Sequence, residues 1–178
     1  MFFSNFKQID YKGKLAVNIT QSVILKYKTM YNTTLWQFHT VVEGETPETI
    51  ADKYYGNATD HWVILLVNNI VDPYFDWVLS NRELVAMVES SYGANMVDKV
   101  HHLVDLTTKK QVDQATTRNY VTDDGIVFKA LPANYSPVSN LEYENALNDE
   151  KRDIKILSPR YLQDFKNQFE DQMKGEVA

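Results

Sequence analysis

The 178-residue chain contains no cysteine. Thiolate nucleophiles, cysteine-ligated zinc, iron–sulfur clusters and a disulfide framework are therefore excluded, and the composition fits a chain that folds in a reducing cytosol. Glycine (6) and proline (5) are also scarce, and no glycine-rich loop of the kind that cradles phosphate is present. Basic residues are outnumbered, with 18 Lys and Arg against 24 Asp and Glu for a formal charge of -6 and a pI near 5.2. No basic stripe relieves that balance, so a nucleic-acid partner, whose affinity would rest on displaced phosphate counterions, is not expected. A run of about 18 apolar residues is missing too. The longest apolar patch, Trp62 to Val67, is short enough for a helix face or a strand. The opening MFFSNFKQIDYKGK lacks the basic and apolar regions of a signal peptide. Neither a membrane span nor export by the usual signal is expected.

What is present suffices for a core. The hydrophobic share of 44% is ordinary for a globular protein, and a domain of this length buries roughly 70% of its unfolded surface. No structural metal or cofactor is needed for folding, and none is expected.

Periodicity organises the rest. Val23, Ile24, Tyr27, Met30 and Tyr31 recur at helical spacing after Thr20, which predicts an amphipathic helix over Gln21 to Tyr31. Leu35 to Val42 reads as a strand ending at Glu43-Gly44. Thr46-Pro47 then starts a helix with Ile50, Ala51 and Tyr54 on its inner face, and Gly56 ends it. A second helix over Thr59 to Asn68 is expected to turn Trp62, Leu65 and Leu66 inward and to close at Asn68-Asn69. Ser80 to Glu83 has capping-box spacing for a third helix over Asn81 to Ser91. From Val97 to about Lys129 the text is β-like, with a Thr107–Lys110 turn and an Asp124-Gly125 hairpin turn. Pro132 to Asn140 reads as a linker, Leu141 to Asn148 as an acidic helix and Ile154 to Leu157 as a strand. Ser158-Pro159 then caps a last helix over Arg160 to Met173. No internal repeat is visible.

The row His39-Thr40-Val41-Val42-Glu43-Gly44-Glu45-Thr46-Pro47-Glu48-Thr49-Ile50-Ala51, followed by Tyr55-Gly56-Asn57, Trp62, Leu65 and Asn69, resembles a LysM module over some thirty residues. Glu45 stands where that family has Asp, and Pro47 where it has Leu. The resemblance implies a β-α-α core. By position it also implies a groove for peptidoglycan or chitin oligomers at Gly44, Glu45, Thr46, Pro47, Asn69 and Ile70.

A wider likeness covers most of the chain. Its most specific pieces are the string Tyr55-Gly56-Asn57, Trp62-Val63, Asn69, Asp72-Pro73-Tyr74 and Trp77, and the string Glu150-Lys151 to Ile154-Lys155-Ile156. With the order of helix, LysM-like module and β-rich middle, these resemble the small baseplate wedge proteins of contractile-tailed, T-even-like bacteriophages. That resemblance implies a non-enzymatic structural part of the virion tail baseplate, made and assembled in the host cytoplasm. It also implies that the chain contacts the wedge scaffold and the sheath-initiating subunit as a hetero-oligomer within a multi-copy assembly, helping wedges join around the hub.

The resulting expectation is an α+β protein: a LysM-like β-α-α core, a helix, a small antiparallel sheet and a C-terminal helix. Four segments follow: 1–34, an N-terminal arm; 35–79, the LysM-like module; 80–131, helix and sheet; 132–178, a linker with a strand and helix arm able to reach away. Tyr74 and Phe75 are the first candidates for partner contact, with Trp77 assigned to the core. Tyr161, Phe165 and Phe169 form an apolar stripe on the last helix that can pack at home or dock.

Residues suggestive of chemistry have plainer readings. His101 and His102 are adjacent on a strand, so their rings are expected on opposite faces, unable to share a metal ion. Glu43 and Glu45 lie on one exposed turn, where neither would acquire the raised pKa of a glycosidase acid. Ser22, Ser80 and Ser158 sit at helix starts, where capping accounts for them. His39 and His61 stand singly, as packing or capping residues.

Overall fold

The computed structural model describes residues 8–18 and 33–174. The expected helix over Gln21 to Tyr31 lies outside them. By contacts, one unit takes described residues 8–18, 33–40, 45–75 and 154–174; the other takes 41–44 and 76–153. The first is thus discontinuous in sequence, its closing strand arriving after the whole second unit. Helices and small antiparallel sheets together make an α+β fold.

The first unit begins with a hairpin that sequence reading did not anticipate, β1 (Gln8–Tyr11) against β2 (Lys14–Val17). Lys12 (φ 54°) and Gly13 (φ 75°) form its two-residue turn, the pairing of left-handed residues that matches strand twist. Asp10 Oδ1 accepts the Gly13 N–H at 2.7 Å. The next strand, β3 (Trp36–Thr40), is shorter than the expected Leu35 to Val42: Leu35 belongs to a 3-10 turn, and Val41 and Val42 lie past its end.

Helix α1 (Pro47–Tyr55) starts as the sequence predicts. Thr46 caps it reciprocally with Thr49, Pro47 opens the first turn, and Gly56 closes it at φ 69°. After a 3-10 turn at Ala58–Asp60, α2 (His61–Val67) faces inward differently from the expectation. Val63, Ile64 and Val67 are buried, whereas Trp62, Leu65 and Leu66 are half-buried. A helix apolar nearly all round is packed on several sides, so its periodicity does not select one face.

One turn of helix, α3 (Pro73–Asp76), follows. The unit is completed by β7 (Asp153–Leu157), which pairs with β3, and by α7 (Leu162–Lys174). Ser158 is a correction: its side chain makes no cap bond, and a 3-10 turn at Pro159–Tyr161 leads into the helix instead. Trp36, Val63, Val67 and Leu157 form the core, with Tyr161, Leu162 and Phe165 packed against it. The last helix is therefore a piece of this unit, not an arm. Burying Phe169 and Met173 contributes roughly 1.5–3 kcal/mol each.

The second unit contains α4 (Asn81–Tyr92), with its Ser80–Glu83 capping box, and a three-stranded antiparallel sheet. The sheet places β4 (Val100–Asp105) between β5 (Lys110–Gln111) and β6 (Tyr135–Ser139). Strand β6 is a correction, because it occupies the stretch read as a linker. Its Pro137 sits on an edge strand, where a missing N–H is tolerated. A one-turn helix, α5 (Gln114–Thr117), is capped by Asp113. Helix α6 (Asn140–Glu150) is capped by Ser139 with Glu142 and packs on α4. Leu103, Val112 and Val121 make the core beneath the sheet. Gly125 (φ 71°) fits a place no other residue can, since a Cβ there would lie 2.6 Å from Lys99 Cβ.

Candidate functional site

Tyr74 and Phe75 are presented to solvent by local chain chemistry. Asp72 Oδ1 accepts the Tyr74 N–H at 3.0 Å and the Asp72 carbonyl accepts the Phe75 N–H at 3.1 Å, so Asp72-Pro73 nucleates the single turn of α3. Val71, Tyr74 and Phe75 are 85%, 86% and 75% exposed, while Trp77 is buried. Three large apolar side chains so placed within five residues make an exposed cluster of the residue types that dominate protein interfaces.

The other aromatic candidates are differently placed. Tyr161 and Phe165 are half-buried, and Phe169 is buried with its ring 4.7 Å from that of Trp62. Lys166 fastens the same helix through its Nζ, which donates to Asp60 Oδ2 at 2.6 Å. This stripe serves the first unit's own core.

The oligosaccharide-groove residues are held as turn and cap elements. Gly44 adopts φ 78°, Thr46 caps α1, Pro47 is buried, and Asn69 takes the left-handed conformation at φ 55°. The half-buried Ile70 donates its N–H to the Leu65 carbonyl. Glu45 is not the freely solvated carboxylate that the sequence suggests. Its Oε2 lies 2.7 Å from His39 Nε2 and its Oε1 3.6 Å from Lys53 Nζ, while Tyr54 Oη bonds His39 Nδ1 at 3.2 Å. Glu43 is exposed and accepts the Asn81 N–H at 2.7 Å.

His101 and His102 also depart from expectation. The β4–β6 register shifts between Val100 and His102, and such an irregularity re-aims side chains that a regular strand would separate. Their Nδ1 atoms lie 2.8 Å apart, one ring donating a proton to the other's lone pair. Tyr143 of α6 stacks on His101 at 4.1 Å, and Tyr92 donates its hydroxyl proton to Glu144 Oε1 at 2.7 Å nearby. Burial, then the Glu144 bond, pushes the Tyr92 hydroxyl up to about 12. Burial first, then neighbouring His101, lowers the His102 imidazole. Among the described residues no group of three or more His, Asp or Glu side chains is placed to hold a metal ion.

Within the second unit, a groove of about 460 Å³ between α4 and α6 is lined by Leu79, Leu84, Met87 and Leu147, with Glu144 and Asn148 among its polar groups. Its lining includes no Ser, Thr or His side chain that could pair as nucleophile and base. Among the described residues, no helix is long and apolar enough to cross a membrane.

A relative, the baseplate wedge protein gp53 of Enterobacteria phage T4, is 25% identical over 182 residues, spanning 94% of this chain and 93% of that protein. The family model for base plate wedge protein 53 matches residues 1–122. The chain belongs to the base plate wedge protein 53 family, structural proteins of the bacteriophage tail baseplate.

Proposed function

We propose that this chain is a non-catalytic joining piece of the baseplate wedge, linking wedge subunits to one another and helping complete wedges assemble around the hub. The observation that carries this reading is the exposed cluster Val71, Tyr74 and Phe75, placed in a chain that matches a wedge protein along nearly its whole length. Its partners are the wedge scaffold and the sheath-initiating subunit, bound as a hetero-oligomer in a multi-copy assembly, and it is made and assembled in the host cytoplasm. Tyr74 and Phe75 anchor that contact, because large rigid aromatics gain the most from burial at the least side-chain entropy.

The commitment of Glu45 to His39 and Lys53 supports a structural role for the turn before α1 rather than a sugar groove. The test is a phage lacking this chain, complemented from a plasmid. Unjoined wedges without complementation, restored to baseplates by the wild-type chain, support the reading. Complete baseplates in its absence overturn it. Titration with peptidoglycan and chitin oligomers provides a second arm: saturable binding that Asn69→Ala abolishes would favour the carbohydrate reading.

A further inference from the structure

The β1–β2 hairpin is a two-stranded sheet to which no third strand is added among the described residues. A hairpin of four-residue strands is at best marginally stable in water. This one exposes Ile9, Tyr11, Leu15 and Val17 to 41%, 61%, 78% and 41%. Edge strands are ordinarily blunted by charge, proline or a covering element. Among the described residues only Lys14 guards β2, and the strand holds the most exposed of the four apolar side chains.

The register tells which backbone groups face outward. Tyr11 pairs with Lys14 across the two-residue turn, followed by Asp10 with Leu15, Ile9 with Ala16 and Gln8 with Val17. A two-residue hairpin closes on a hydrogen-bonded pair, and bonded and non-bonded pairs then alternate. Lys14 and Ala16 therefore direct their backbone groups at β1, while Leu15 and Val17 direct theirs away from it. The outer edge of β2 thus offers the N–H donors and carbonyls of Leu15 and Val17 in line, with the charged Lys14 next to Leu15 in the strand. The opposite edge is less suited, because β1 carries the Asp10 carboxylate, already engaged by Gly13.

We propose that the outer edge of β2 is a strand-addition site, on which an extended segment of another wedge protein pairs with Leu15 and Val17. That segment carries apolar residues beside Leu15 and Val17 and an acidic residue opposite Lys14, the cross-strand pairing that stabilises such ladders. The inference rests on the proposed joining role but names a different surface from Tyr74 and Phe75.

The experiment compares amide hydrogen exchange, resolved to single residues, in the free full-length chain and in purified baseplates. Leu15 and Val17 amides are expected to slow at least a hundredfold on assembly, and Leu15→Pro, which removes an outward donor, to cut incorporation at least tenfold. A chain present in baseplates with Leu15 and Val17 exchanging as when free overturns the strand-addition site and leaves the joining role standing. A chain absent from baseplates overturns the joining role itself. Protection that appears in the free chain as its concentration rises assigns the edge to a second copy and likewise overturns the proposal. Normal incorporation of Leu15→Pro contradicts it independently of the exchange data.

Discussion

The side-chain amide of Asn68 behaves as a strand for Lys155: its Nδ2 donates to the Lys155 carbonyl at 2.7 Å while its Oδ1 accepts the Lys155 N–H at 2.8 Å. The same Nδ2 donates to the Ile64 carbonyl at the end of α2. One residue thus ends a helix and satisfies strand β7, tying together two parts of the first unit that are far apart in sequence. Asn148 does the same for Leu79 in the second unit, with bonds of 2.8 and 3.0 Å.

Asn68→Ala leaves the half-buried backbone of Lys155 without its partners, and an unsatisfied buried group costs about 1–3 kcal/mol. Urea denaturation should show a lower midpoint with an unchanged slope. Asn68→Asp keeps the acceptor and loses the donors, so it should recover only part of the loss. A midpoint unmoved by Asn68→Ala would show the pairing to be inconsequential.

The Lys166–Asp60 pair makes a sharper case. Asp60 is buried and Lys166 mostly so, and removing one partner of such a pair costs about 3 kcal/mol because a charge remains uncompensated. Lys166→Met should destabilise by that order, whereas the double change with Asp60→Asn should recover much of it. Additive losses in the double variant would contradict the coupling.

Acid should weaken the second unit through His102. Its folded-state imidazole is lowered by burial and then by His101, so the native state resists a proton that the unfolded chain accepts near pH 6.5. The associated stability is complete above that pH and is lost as the pH falls through it toward the lowered native value. A doubly protonated pair also has an N–H on each facing Nδ1, which breaks their 2.8 Å bond. Denaturant midpoints measured from pH 7.5 to 5 should fall more steeply for the wild-type chain than for His102→Gln. Parallel profiles would remove His102 from the account.

Tyr74→Ala combined with Phe75→Ala should leave folding nearly unchanged, since surface substitutions usually shift stability by no more than about 0.5 kcal/mol. Incorporation into baseplates should nevertheless fall at least tenfold. Phe169→Ala should do the reverse in kind, costing about 3–5 kcal/mol of stability by opening a cavity against Trp62. If the exposed pair is dispensable for incorporation, the contact surface lies elsewhere.

These residues also show what the sequence made legible. Helix starts carried by local chemistry, such as Thr46-Pro47 and Ser80 with Glu83, occur where the text places them because each cap is formed within four residues. The hairpin at Lys12-Gly13 had a readable signal too, a two-residue turn between Ile9, Tyr11 and Leu15, Val17. Tertiary pairing was not legible. Tyr135 to Ser139 has the proline and polar content of a linker and becomes a strand because β4 supplies its partner. A register shift brings His101 onto His102, and no local pattern announces it. Trp77 is buried, as its assignment to the core expects, and Tyr74 and Phe75 are exposed, whereas the half-burial of Tyr161 and Phe165 and the burial of Phe169 depend on contacts distant in sequence.

The most direct test is a cryo-electron microscopy reconstruction of the intact baseplate of the phage that encodes this chain. The account predicts density for it within each wedge, with Tyr74 and Phe75 buried against a neighbouring wedge protein. Baseplates complete in every wedge but lacking this chain, or holding it with both rings facing solvent, would contradict the joining role.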